Sequence, residues 1–296
     1  MIAVNGFVVL DKCDGMTSFR ASATLRRIFS EKKTGHTGTL DPMATGVLPV
    51  AMGKATRFID FLPDSDKGYT ARFRFGIVTD TLDITGTVLE ERECSVSRED
   101  ILGVLPRFTG KIMQTPPMYS AISKDGVRLY ELARKGIEIE REQREIEIKR
   151  LELTDYENGG EFEIDVICSK GTYIRSLIAD IGEALGCGAV MTALRRTLAN
   201  GFTLADAKTA EQVEQMKEQA VLGIDYPFSG FPAVTVTGKQ AVRFRNGGEL
   251  SADRLHTEIF PSLYRVYAPD GAFLGLGEIK NDDNTTLWVK RVIGND

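Results

Sequence analysis

Apolar and polar positions along this chain sort into short strands and helices. FVVLD, residues 7–11, is an apolar run of strand length and predicts a buried strand. A turn at GMTS then leads into a helix from about Ser18 to Glu31. Ala21, Leu25, Ile28 and Phe29 recur there at helical spacing, while Arg20, Thr24 and Arg27 lie on another face. In KGYTARFRFG, Tyr69, Ala71, Phe73 and Phe75 alternate with Thr70, Arg72 and Arg74, the pattern of a half-buried strand. Strands are also predicted around Ile146–Leu153 and over Phe162–Cys168, where Phe162, Ile164, Val166 and Cys168 alternate.

Helix starts and stops are legible as well. Ser97 with Asp100, and Thr209 with Gln212, have the spacing of capping boxes. MYSAISKDGVRLYELARKG predicts a helix ending near Gly136. SKGTYIRSLIADIGEALG turns from strand into a helix with Ile174, Leu177, Ile178, Ile181 and Leu185 on its buried stripe. YPFSGFPAV, residues 226–234, is rich in Pro, Gly and aromatics and reads as a boundary, followed by short strand-like stretches with turns at NGG, PDG and NDDN. The expected organisation is residues 1–228 as one domain and 229–296 as a small domain of all-β character. Strands that alternate in polarity favour a mixed, largely antiparallel sheet flanked by helices, so the fold class is α+β rather than doubly wound parallel.

Composition narrows the chemistry. The 296 residues are 42% hydrophobic and 27% charged, ordinary for a globular protein. No apolar run approaches the roughly 18–20 residues that span a bilayer, and the N-terminus lacks a basic signal-peptide region, so the expectation is a cytoplasmic protein that does not engage membranes. Cys13, Cys94, Cys168 and Cys187 form no C-x-x-C pair, and the histidines are only His36 and His256. No metal site is expected. The net charge of −5 argues against nucleic acid taken alone. The positives cluster, however: Arg20, Arg26, Arg27, Lys32 and Lys33 precede residue 35, and further groups lie at 124–135, 141–150 and 170–196.

One stretch concentrates turn chemistry around a carboxylate: GHTGTLDPMATGVLP, residues 35–49. It is neither G-x-G-x-x-G nor a P-loop, so no nucleotide cofactor is implied. Asp41 followed by Pro42 makes a good helix N-cap with Pro at the first helical position. The alternative is a carboxylate on a rigid loop, oriented by a partner. Arg175 is a candidate partner, because it falls in the first turn of its helix, the unfavourable end for a cation, and there it needs a specific anion or open water. Tyr69 and Tyr173 are core rings or rings that stack on a planar ligand. Leu194 reads as a core leucine. His36 reads equally as a turn histidine or a ligand contact, His256 as a surface residue, and Lys12 as a solvated cation at a strand end.

Several segments together resemble one family. GHTGTLDPMATGVLP closely resembles the catalytic motif of the TruB family of tRNA pseudouridine synthases. GFVVLDKCDGMTS, SDKGY (65–69), TDTLDITG (79–86), PPMYSAISKDGVRLYELARKG (116–136), CSKGTYIRSL (168–177) and LGCGAVMTALRRT (185–197) follow in the family's order. DGAFLGLGEI, 270–279, resembles part of a PUA-type RNA-binding domain. Cys13 stands where the family usually has Pro, which loosens a turn without removing a reactive group.

The resemblance implies a pseudouridine synthase core with a small C-terminal β-rich PUA-like domain, and isomerisation of uridine 55 in the T loop of tRNA. Asp41 then matches the catalytic aspartate, Tyr69 the ring packed on the target base, and Arg175 the partner of the aspartate. Leu194 matches an apolar wall, and His36 and Tyr173 match contacts to the flipped-out RNA. The reaction is a rearrangement and needs no cofactor. The carboxylate can attack C1′, attack C6 or act as a base. The implied partner is the tRNA T-arm, for a monomer with no obligatory protein partner. Two other readings stay open: an RNA-binding or RNA-folding module in which Asp41 only caps a helix, and a glycosidase or nucleosidase with paired carboxylates. The sequence singles out no second carboxylate for the latter.

Overall fold

The apolar run near the N-terminus forms strand β1 (Gly6–Lys12), and Thr17 caps the helix that follows, α1 (Ser18–Phe29), by accepting the Arg20 N–H. The computed structural model describes residues 4–63, 66–120, 122–124, 126–156, 160–255 and 257–294. His256, expected at the surface, lies outside them, as does Ser65. Strands β2 (Thr34–His36) and β3 (Thr45–Met52) flank the Asp41 segment, and β4 (Lys67–Phe75) is the alternating strand that carries Tyr69. A hairpin of β5 (Ile77–Thr79) and β6 (Val88–Glu91) precedes α2 (Arg98–Val104), whose capping box is formed by Ser97 and Asp100.

Beyond β7 (Gly110–Gln114) come the short pair β8 (Ser123–Lys124) and β9 (Val127–Arg128) and a single helical turn and a half, α3 (Leu129–Ala133). Strands β10 (Arg144–Tyr156) and β11 (Phe162–Cys168) lead to α4 (Ile174–Ala184), which holds Arg175. Strands β12 (Ala189–Ala199) and β13 (Phe202–Thr203) and helix α5 (Ala210–Met216), opened by the Thr209–Gln212 capping box, complete the first sheet and its cover.

Among the described residues the main sheet runs β1-β3-β12-β4-β11-β10-β7, with β2 beside β3 and β13 beside β12. Only β12 with β3 is parallel; the other pairs are antiparallel. The sheet is therefore mixed and largely antiparallel, and with its helices the fold is α+β, as the alternation predicts. Gly46 makes the parallel pairing possible. Its φ is +96°, and a Cβ there would lie 2.2 Å from the Arg196 carbonyl oxygen, so only glycine lets β3 approach β12 this closely.

Ala21 and Leu25 of α1 and Leu177, Ile178 and Ile181 of α4 share one apolar core with Val8, Leu48, Phe73 and Ile164 of the sheet. A second sheet, ordered β14-β16-β17-β18-β15, is built from β14 (Ala233–Thr235), β15 (Leu250–Ser251), β16 (Ser262–Tyr267), β17 (Phe273–Ile279) and β18 (Thr286–Val292). This stretch is not all β. Helix α6 (Gly238–Arg245), with a capping box from Thr237 and Gln240, buries Ala241 and Phe244 against it. Phe7, Phe58, Phe202, Phe228 and Leu276 join the two sheets in a third apolar cluster.

Candidate active site

The segment between β2 and β3 is a loop closed by one turn, in which the Ala44 N–H donates to the Asp41 carbonyl at 3.1 Å. No helix begins at Asp41, because the chain enters β3 at Thr45, three residues after Pro42. Of the two readings open for Asp41, the helix N-cap is not the one adopted: Pro42 fixes the first corner of a turn into a strand. The side chain of Asp41, about a third exposed, meets Arg175 instead.

Arg175 is 5% exposed and answers the question raised by its place in the first turn of α4. Its Nε lies 3.0 Å from Asp41 Oδ2, and its Nη2 donates to Asp41 Oδ1 at 3.2 Å. Its Nη1 lies 3.4 Å from Asp83 Oδ2 and donates to the Thr81 carbonyl at 2.9 Å, while Nη2 also reaches the Tyr119 carbonyl at 2.8 Å. All three nitrogens are thus used, and the planar guanidinium fixes the direction of the Asp41 carboxylate. Burial raises the Asp41 pKa above its ordinary value; the Arg175 charge opposes this, and Asp83 adds to it.

Asp83 is a second carboxylate that the sequence reading did not single out. It is 4% exposed, and its Oδ1 accepts from Thr81 Oγ1 at 2.9 Å, from the Thr85 N–H at 3.0 Å and from Thr85 Oγ1 at 2.5 Å. Leu82, just before it, takes a left-handed φ of +62°, a conformation rare for a branched side chain. The Ile84 N–H donates to the Met191 carbonyl and the Met191 N–H to the Leu82 carbonyl, which fastens this turn to β12. The signal lay in T-x-D-x-T, the spacing at which flanking hydroxyls close an Asp turn.

The backbone around Asp41 is held on every side. Ser18 Oγ donates to the Leu40 carbonyl at 3.1 Å and accepts the Leu40 N–H at 2.8 Å. Lys12, expected to be solvated, is 2% exposed; its Nζ donates to the carbonyls of Cys13 at 2.9 Å, Met16 at 2.5 Å and Pro42 at 2.9 Å. Three carbonyls match the three donors of an ammonium, which is why the strand end can bury it. Arg196, fully buried, donates from Nε to the Val47 carbonyl at 2.8 Å, from Nη1 to Thr39 at 3.4 Å and from Nη2 to Gly38 at 3.1 Å. Leu40, Pro42 and the residues before them are therefore fixed by three side chains from β1, α1 and β12.

Tyr69 stands opposite Arg196 in the sheet register and is 7% exposed. Burial pushes its phenol up to about 12, with the Arg196 charge and hydrogen bond opposing, so it stays protonated at neutral pH. Leu194, opposite Ala71 and 7% exposed, joins the core containing Tyr69 and Leu40. Tyr173 precedes α4 and is half-buried; its backbone N–H and carbonyl pair with the Gln114 side chain at 2.8 and 3.0 Å. Burial raises its phenol, and the charges of Arg175 and Asp41 both reach it. His36 ends β2, half-buried, with its Nδ1 making no hydrogen bond among the described residues. Burial and then the Arg196 charge lower its pKa, so the ring is neutral at pH 7. No group of three or more metal-ligating side chains occurs among the described residues.

Family comparisons cover nearly the whole chain. Residues 26–174 match the TruB family pseudouridylate synthase N-terminal domain, 175–223 the tRNA pseudouridylate synthase B C-terminal domain, and 232–293 the pseudouridine synthase II TruB C-terminal domain. The chain is 46% identical over 279 residues to tRNA pseudouridine synthase B of Clostridium perfringens, covering 93% of this chain and 95% of that one. It is 44% identical over 296 residues to tRNA pseudouridine synthase B of Dechloromonas aromatica, covering 98% and 96%. Among solved structures it is similar to a chain of an H/ACA RNP bound to a substrate RNA containing 2′-deoxyuridine, with a TM-score of 0.74 and 25% identity over 98% of this chain and 85% of that one.

Proposed function

Because the chain belongs to the TruB family of pseudouridine synthases, we propose that it isomerises uridine 55 in the T loop of tRNA, with Asp41 as the catalytic carboxylate. It is a tRNA pseudouridine synthase: it converts a uridine of tRNA to pseudouridine. The reaction breaks the N1–C1′ bond, turns the base, joins C5 to C1′, and moves one proton from C5 to N1. Nothing is oxidised or reduced.

The observation that carries the assignment of Asp41 is its side-by-side pairing with Arg175 across elements 134 residues apart in sequence. A capping aspartate would turn to backbone N–H groups of its own turn. This one is aimed at a guanidinium and keeps about a third of its side chain accessible. Tyr69, neutral and anchored against Arg196, offers a ring for the base and a hydroxyl for hydrogen bonding. Leu194 supplies an apolar wall, and His36 and Tyr173, both half-buried, contact the displaced RNA. Unstacking the uridine costs a few kcal/mol, which stacking and phosphate contacts offset. Asp83, the carboxylate beside Asp41, is buried, with its oxygens engaged by Thr81, Thr85 and Arg175, which disfavours it as the second acid of a two-carboxylate glycosidase.

The enzyme acts on tRNA without a protein partner, as a monomer of the cytoplasm. Incubating the chain with unmodified tRNA transcripts and mapping pseudouridine tests this reading. Modification at position 55 alone supports it; modification elsewhere, or release of free uracil, contradicts it.

A further inference from the structure

Lys67 begins β4 on the same face as Tyr69, two residues before it. It is half-buried, yet its Nζ makes no hydrogen bond or ion pair among the described residues. The nearest carboxylate in sequence, Asp66, is taken by Lys149 at 2.8 Å. The nearest thiol, Cys168, donates to the Lys67 carbonyl at 3.7 Å, and burial pushes its pKa up to about 11, so it carries no charge. Around Lys67 stand two further cations, Arg196 and Lys170; burial first, then these charges, lower its pKa. Its ammonium and the Arg196 guanidinium converge on Gly38, where a Cβ would lie 3.3 Å from Lys67 Nζ and 3.6 Å from Arg196 Nη1. Arg196 meets only carbonyl oxygens and Tyr69 there, and neutral His36 adds no negative charge.

A desolvated ammonium beside other cations is unfavourable until an anion joins it. We propose that Lys67, at the Gly38 corner, binds a backbone phosphate of the RNA next to the nucleotide held over Tyr69. The inference rests on the RNA-substrate reading of the site and adds a fixed point for the strand at its edge. Gly38 keeps the corner open, and buried Arg196 reinforces the field from behind without touching the phosphate. The contact acts on binding and not on the bonds that change.

Affinity for a tRNA transcript, measured across a salt series with the full chain, tests this. Lys67→Gln should weaken binding about 5- to 30-fold at low salt, and should flatten the slope of log affinity against log salt by about 0.7 to 0.9. Lys67→Arg should restore most of both, and turnover at saturating tRNA should stay within about twofold of the parent. An unchanged salt slope in Lys67→Gln, or a fall in saturated turnover with unchanged affinity, would overturn the proposal. So would a parent chain whose tRNA binding shows no salt dependence. Pseudouridine is scored in the same reactions: its absence from the parent chain refutes the functional reading, while the slopes judge Lys67 separately.

Discussion

Arg175 and Asp41 lie side by side, Nε to Oδ2 at 3.0 Å and Nη2 to Oδ1 at 3.2 Å, although one opens a helix and the other sits in a turn between two strands. The same guanidinium holds Asp83. One cation thus balances two carboxylates, and burial leaves the accessible one with a raised pKa.

The sign of the pH dependence follows. With Asp41 in its proposed role the carboxylate works ionised, so kcat/KM should fall as pH drops through a value raised above that of an ordinary Asp. Arg175→Met removes the main influence opposing that rise. Its acid limb should move to higher pH, with activity at neutral pH down about 100-fold. Because two carboxylates lose their partner, stability should fall by about 3 kcal/mol in denaturant titrations. An unmoved acid limb would separate Arg175 from the ionisation of Asp41.

Ser18→Ala deletes one hydroxyl that satisfies both backbone groups of Leu40. Leaving them buried and unpaired costs about 1–3 kcal/mol. The turn carrying Asp41 also loosens, so kcat should fall more than KM rises. Urea titration and steady-state kinetics on the same preparation check both effects.

Arg196→Met leaves the carbonyls of Gly38, Thr39 and Val47 without their buried donor. The expected loss is about 2–4 kcal/mol, and Arg196→Lys should recover little of it, because one ammonium does not reproduce the guanidinium fork. Equal stability of all three proteins would show that these contacts contribute nothing.

Tyr69 has a phenol pKa raised from 10.0 to about 12. A raised value means that its contribution to stability is complete below pH 10 and is lost as pH climbs towards 12. The stability of the parent should therefore decline more steeply than that of Tyr69→Phe over this range, and Tyr69 ionisation should impose no limb on activity below pH 10. Denaturant titrations of the two proteins at matched alkaline pH give the difference directly.

Much of this was legible where a local rule acts alone. The alternation from Phe162 to Cys168 marks β11 to its ends, and two capping boxes mark helix starts at Arg98 and Ala210. The same box at Thr237 and Gln240 marks α6, but the turn-rich stretch around it reads as all β. What stayed hidden depends on contacts distant in sequence. Asp-Pro suits a helix start as well as a turn, and only Arg175, 134 positions away, decides where the Asp41 side chain goes. Lys12 reads as solvated because only two of its three acceptors, the Cys13 and Met16 carbonyls, are near it in sequence; the third, Pro42, lies 30 residues on and closes the site around the ammonium. Arg195 and Arg196 look alike as a basic pair. The strand sends them to opposite faces, one to a partly exposed pair with Asp11 and the other to full burial.

The Asp41 carboxylate is proposed to perform the isomerisation. Release of tritium from C5-labelled uridine in a tRNA transcript follows that chemistry without any other readout. The parent chain should release tritium with no added cofactor, and Asp41→Asn should lower release by at least about 10⁴-fold, the scale of losing a catalytic nucleophile or base, while still binding tRNA. Release by Asp41→Asn at near-parental rate would contradict the account.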